Sequence, residues 1–137
     1  VRRDLRGWEL PGGGAARGES GEEAVAREVL EETGLEVAVL RHVADYVRTG
    51  FRPHTARIWA CRVVSGELRP SRETPRVGWF DPGAPPSTLL PWFRGPLADA
   101  LAPPAEPRVR HEHQGPGAIL TGMAIDLRMR LTDDRAS

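Results

Sequence analysis

A chain of 137 residues, 39% hydrophobic and 28% charged, has the size and balance of one globular domain and is short for two. Nineteen acidic residues cancel nineteen basic ones, and a net charge of zero argues against a protein that coats nucleic acid. No apolar run approaches the ~18 residues of a membrane span, no signal-peptide pattern opens the chain, and a lone cysteine, Cys61, rules out an internal disulfide and suits a reducing cytoplasm.

Val1 stands where an initiator Met is expected and "VRRDLRGWELPGG" runs quickly into glycines, so the sequence reads as clipped at its N-terminus. Trp8 and Leu10 alternate with Gly7 and Glu9 as at the tail of a strand, which Pro11 and the glycines at 12, 13 and 14 end. Ser20 to Thr33 reads as a helix, with Ser20 as N-cap, Glu23 three residues on to complete a capping box, and Gly34 as the stop. Next, "LEVAVLRHVADYVRTG" and "TARIWACRVVSGEL" carry the β-branched and aromatic residues of strands, and "RVGWFDP" reads as a short third one. "DPGAPPSTLLP" is a loop, and "WFRGPLADALA" a short helix despite Gly95-Pro96 near its start. "APPAEPRVRHEHQGPG" has the composition of a linker, which places the compact domain at 1–103 and an extension at 104–137. In that extension Met123, Ile125, Leu127, Met129 and Leu131 alternate with Ala124, Asp126, Arg128 and Arg130, a period-2 pattern that predicts a strand pairing with a sheet edge, the chain's own or a partner's.

The helix carries the chemistry. At 100° per residue, with Glu28 at zero, Glu31 falls about 60° to one side and Glu32 about 40° to the other, so three carboxylates share one face. Val25, Val29, Thr33, Ala26 and Leu30 fill a neighbouring arc of roughly 140° that predicts the core-facing stripe, while Ala24 within the acidic face leaves room for something bound. Like charges at this spacing destabilise an isolated helix by roughly 0.2–0.5 kcal/mol per pair, and the helix dipole opposes acids in the last turn. A solvated face is the ordinary fate of a Glu-rich helix, but a cation offsets such repulsion, and hard oxygen donors suit Mg²⁺.

The spacing is sharper than composition alone. Gly13, Glu19, Arg27, Glu28, Val29, Glu31, Glu32, Gly34 and Leu35 fit G-x5-E-x7-R-E-U-x-E-E-x-G-U, with U aliphatic. Seven fixed identities at average residue usage match by chance about once in 10⁸ start positions. This is the signature of the Nudix (MutT-like) hydrolases, which the sequence resembles over the box at 13–35 and, with "GWELPGG" and "VGWFDP", more loosely over 1–103.

The resemblance implies an α/β/α sandwich on a mixed sheet, expected here to be truncated at the N-terminus, to which the alternation at 123–131 adds a C-terminal β extension. It implies hydrolysis of the diphosphate linkage in a nucleoside diphosphate joined to another group, with Mg²⁺ or Mn²⁺. Glu28, Glu31 and Glu32 would supply metal oxygens, with the backbone carbonyl near Gly12 as a further ligand. One of these glutamates, or one from a later loop, would take a proton from the attacking water. Arg27 and Glu19 would pair to hold the glycine loop on the helix, and Gly13 and Gly34 would supply turns that a Cβ obstructs. The expected partner is a free nucleotide in the cytoplasm, with no nucleic acid polymer and no membrane, and the family's habits allow a homodimer. A catalytically silent nucleotide-sensing or interaction module on the same fold is the alternative, disfavoured by the intact acidic set.

Outside the box, Glu73 is the first candidate for an extra metal ligand and Glu67 the second, each weighed against a solvated loop acid. Phe51 and Arg52, between the expected strands, are candidates to stack a base and meet a phosphate. His111 and His113 lie in a linker-like setting that disfavours a metal role. Trp8, Trp59, Trp79 and Trp92 read as core or rim residues, and Cys61 as a small packing residue.

Overall fold

The computed structural model describes residues 7–50 and 53–136. Helix α1 (Gly21–Thr33) begins with the expected reciprocal capping box of Ser20 and Glu23 and ends at Gly34, which takes the left-handed conformation (φ 80°) and donates its N–H to the Leu30 carbonyl. Strand β1 (Leu35–Gly50) follows at once and pairs antiparallel with β2 (His54–Gly66) through a long, bulged ladder. A 3-10 turn (Pro91–Phe93) leads into α2 (Arg94–Leu101), with Pro96 tolerated in its first turn. Strand β3 (Arg108–Gln114) then runs parallel to β1 on its other side, giving a mixed sheet of order β2-β1-β3. Helix α3 (Pro116–Ala136) closes the described chain.

The helices lie on both faces of the sheet. Val43, Ala44 and Tyr46 of β1 are the buried centre, with Ala56, Ile58 and Ala60 of β2 and Ala100 of α2 packed against them. On the other face Trp59 stacks on His42 and comes so near Gly21, at the start of α1, that a Cβ there would lie 2.9 Å from its ring. This is the α/β sandwich with a mixed sheet that the sequence implied.

Four expectations are corrected. The segment read as a linker contains β3: its Arg108 and Arg110 side chains are drawn to Asp99, and a backbone ladder needs no apolar residues. The strand expected at 123–131 is helical. Its residues are mostly strong helix formers, Pro116 occupies the first helical position, and the buried residues Gly122 and Ile125 with half-buried Ile119 and Met129 follow helical spacing, leaving Met123 and Leu127 in water. "RVGWFDP" forms no strand; Trp8 pairs instead with Leu89 in an isolated parallel bridge. On α1 the inward face is rotated from the expected stripe. Ala24 and Val29 are buried and Leu30 is 50% exposed, because the glycine loop folds over the acidic side and covers it.

Candidate active site

The loop before α1 is tied to the helix by one side chain. Arg27 uses all five of its N–H groups: Nε and Nη2 donate to Glu19 at 2.8 and 3.0 Å, Nη2 also to the Gly14 carbonyl at 3.2 Å, and Nη1 to Glu28 and Glu31, each at 3.1 Å. Glu19 also accepts from the Ala16 N–H at 2.9 Å. The Arg27 hydrogen bonds, then that backbone donor, hold the Glu19 carboxyl at about 2, and Glu19 in turn pushes the Arg27 guanidinium further up. The expected ion pair is present, and it reaches Glu28 and Glu31 as well.

Glu28 lies along the loop so closely that a Cβ on Gly13 would stand 2.7 Å from its carboxyl carbon. Glu32 reaches the same loop farther along and accepts from the Gly12 N–H at 2.8 Å. Burial pushes the Glu32 carboxyl above the usual range, and the charges of Glu28, Glu9 and Glu73 push it the same way, with the Gly12 hydrogen bond opposing. The charges of Glu28, Glu9 and Glu73 thus reach Glu32, while Glu31, 58% exposed, sits on Arg27. Among the described residues no three His, Cys, Asp or Glu side chains converge closely enough to enclose a metal ion, since Arg27 draws two of the three helix carboxylates to itself.

Of the loop acids, Glu73 is the one whose charge reaches Glu32; Glu67 meets the site through its backbone, its carbonyl 2.6 Å from where a Cβ on Gly34 would stand. Phe51 and Arg52 lie outside the described residues. His113 contacts the Thr49 hydroxyl at 3.3 Å and belongs with His111 to β3. Trp8 packs edge-on against Phe80, with centroids 4.7 Å apart, and Trp79, 69% exposed, is neither a core nor a rim residue. Cys61 is half-buried, with its thiol pushed up by that burial, as suits a packing residue. Two contributors escaped the sequence. Glu9 carried one signal, its place two residues before Pro11 and the glycine loop. Thr74 carried none, since its hydroxyl bond to the Glu32 carbonyl spans 42 residues.

A family model described as the NUDIX domain matches residues 1–101. The chain is 37% identical over 121 residues to a "MutT-like protein" of Streptomyces ambofaciens, covering 88% of this chain and 77% of that one. It is 34% identical over 90 residues to the "Putative 8-oxo-dGTP diphosphatase" of Bacillus subtilis (strain 168), covering 66% of this chain and 60% of the relative. It is also 45% identical over 65 residues to the "Putative 8-oxo-dGTP diphosphatase 2" of Mycobacterium tuberculosis (strain CDC 1551 / Oshkosh), covering 45% of each. The chain therefore spans about 60% of the length of the Bacillus relative and less than half that of the mycobacterial one.

Proposed function

Because this chain belongs to the Nudix family, we propose that it is a metal-dependent pyrophosphohydrolase that cleaves the diphosphate linkage of a nucleoside diphosphate joined to another group. The observation that carries this reading is how the glycine loop meets the acidic face of α1: Glu28 lies in the Gly13 cradle, Glu32 accepts from the Gly12 N–H at 2.8 Å, and the charges of Glu9, Glu28 and Glu73 reach Glu32. Those like charges add to burial in raising the proton affinity of Glu32. Hard oxygen donors in that number suit Mg²⁺ or Mn²⁺, and the Gly13 cradle that admits Glu28 leaves no room for a side chain.

In this reading Glu28, Glu31, Glu32 and the backbone carbonyl of Gly12 would hold the ion, with Glu73 as the further ligand, and an ion held there would lower the pKa of the attacking water and offset charge on the phosphate oxygens. Glu28 or Glu31 takes a proton from that water as its oxygen bonds to phosphorus. The bridging P–O bond breaks, and the leaving phosphate carries away the electron pair. Arg27 positions both glutamates through its hydrogen bonds and touches no reacting atom. Residues 1–103 form the hydrolytic unit, and the partner is a free nucleotide in the cytoplasm. Among the described residues, no helix is long and apolar enough to cross a membrane.

Two of the relatives are named for 8-oxo-dGTP, so an oxidised purine nucleoside triphosphate heads the substrate panel. The test is phosphate release, coupled to pyrophosphatase, across nucleoside diphosphate derivatives with Mg²⁺ for the wild type and Glu32→Gln. Turnover that needs both the metal and Glu32 supports the hydrolase. A folded wild type that turns over nothing moves the non-catalytic nucleotide-binding module ahead.

A further inference from the structure

A helix ends with four backbone carbonyls that have no partner within it. In α1 the Leu30 carbonyl accepts from Gly34 N–H at 2.9 Å, but two others are capped from one distant loop. The Thr33 carbonyl accepts from Arg69 N–H at 2.8 Å, and the Glu32 carbonyl from the Thr74 hydroxyl at 2.6 Å. That hydroxyl is itself held. Ser71 Oγ lies 2.6 Å from Thr74 Oγ1 and accepts from Thr74 N–H at 3.1 Å, while Ser71 N–H donates to the Thr74 carbonyl at 2.9 Å. Thr74 has one hydroxyl proton and gives it to the Glu32 carbonyl, so the Ser71 hydroxyl must donate to Thr74. The relay runs one way, from Ser71 through Thr74 to the backbone of Glu32.

Glu32 is thereby pinned twice, at its carbonyl by Thr74 and at its carboxylate by Gly12 N–H. Glu73 is the residue before Thr74, and among the described residues no hydrogen bond or ion pair holds its exposed side chain, so the bond of its neighbour is what fixes where its backbone sits. We propose that Ser71 and Thr74 are positioning residues, a hydroxyl latch that locks the last turn of α1 and holds Glu73 beside Glu32 to complete the acidic set. The latch rests on the proposed function, since it acts through a carboxylate assigned there to the metal. The field of Glu73 at Glu32 agrees with this placement.

The test measures Mn²⁺ binding to the protein alone, by loss of the free-ion electron paramagnetic resonance signal, with urea unfolding of each variant alongside. Outer partners of metal ligands typically change affinity by 10-fold or more, so Thr74→Val and Glu73→Gln should each weaken Mn²⁺ binding about tenfold. Because part of the effect of Thr74 passes through Glu73, the double variant should lose less affinity than the product of the two single penalties. Thr74→Ser keeps the hydroxyl and should bind as the wild type does. If Thr74→Val fails to fold, Ser71→Ala, which removes only the anchor of the relay, should show the same direction of weakening in a folded chain. Wild-type binding by Thr74→Val or by Ser71→Ala, penalties that multiply in the double variant, or a Thr74→Ser as weak as Thr74→Val would each overturn the latch. Glu73→Gln binding at wild-type strength while Glu32→Gln is weakened removes the latch and leaves the hydrolase standing. Glu32→Gln binding as the wild type does removes both.

Discussion

Replacing Gly13 with alanine should separate the geometry of the acid cluster from the stability of the fold. Gly13 is not among the glycines at positive φ, so alanine meets no backbone strain there. Its Cβ would stand 2.7 Å from Cδ and Oε1 of Glu28 and 2.9 Å from Oε2, against an ordinary contact beginning at 3.4 Å, so the carboxylate must retreat by about 0.7 Å. The group that moves is the end of a flexible side chain, and an off-rotamer adjustment of this kind costs about 1 kcal/mol. Chemistry is less forgiving, because a shift near 1 Å in a positioned group can cost on the order of 10²-fold in rate. The displaced carboxylate also strains its 3.1 Å bond from Arg27 Nη1. Expected, then, is a thermal midpoint near that of the wild type with kcat/KM on the best panel substrate down by about 10²-fold. An alanine variant that keeps kcat/KM within about threefold would refute the reasoning, since Glu28 would then do its work from somewhere other than the Gly13 cradle.

The opposite outcome is expected at Gly34→Ala, where φ is 80° and the Cβ would meet the Glu67 carbonyl at 2.6 Å: the urea midpoint should fall by an amount corresponding to about 1–3 kcal/mol. Arg27→Lys offers three donors where five are used, so kcat should fall roughly tenfold or more even though the positive charge is kept. Asp99, 8% exposed, accepts from Tyr46, from Arg110 at 2.7 and 2.8 Å and from Arg108 at 3.4 Å. Asp99→Asn should lower unfolding free energy by about 2 kcal/mol near neutral pH, measured by urea titration. The Arg110 hydrogen bonds hold the Asp99 carboxyl at about 2 against an ordinary 3.8, so its stabilisation is full above pH 3.8 and is lost as the pH falls toward 2. The difference between Asp99→Asn and wild type should shrink over that window, and a difference independent of pH would show that the charge of Asp99 contributes nothing.

What was legible in the sequence is what is local. The Ser20 cap, the Gly34 stop and the Arg27–Glu19 pair join residues within eight positions of one another; the first two formed as their spacing predicts and the third as the family resemblance implies. The hairpin of β1 and β2 was equally open, since Val, Ile, Trp and Tyr announce strands wherever they cluster. The misses share one cause, which is that distant partners decide them. Nothing in "RVRHEHQ" requires a strand; the β1 edge and Asp99 impose it from elsewhere. The alternation at 123–131 fits either period once Leu, Met and Arg fill it, and the surface that buries Ile125 chose the helix. Ala24 and Leu30 changed places because the glycine loop, invisible to a helical wheel, covers one side of α1.

The networks of Arg27 and Asp99 sit on opposite faces of the sheet. Among the described residues Arg27 binds partners between Gly14 and Glu31, so the glycine loop is fastened to α1 within one short segment. The network of Asp99 joins α2 to β1 through Tyr46 and to β3 through Arg108 and Arg110, and the Tyr46 hydroxyl is pushed up to about 12 by its burial and by Asp99. Arg48, almost fully buried beside Tyr46, extends it by donating to the Trp92 carbonyl and, at 3.4 Å, to Glu112 of β3. The first network sets where carboxylates point; the second sets whether β3 stays on the sheet. Changes at Asp99 should therefore lower stability with little effect on Mn²⁺ affinity, and changes at Arg27 should move affinity and rate, because among the described residues none belongs to both networks.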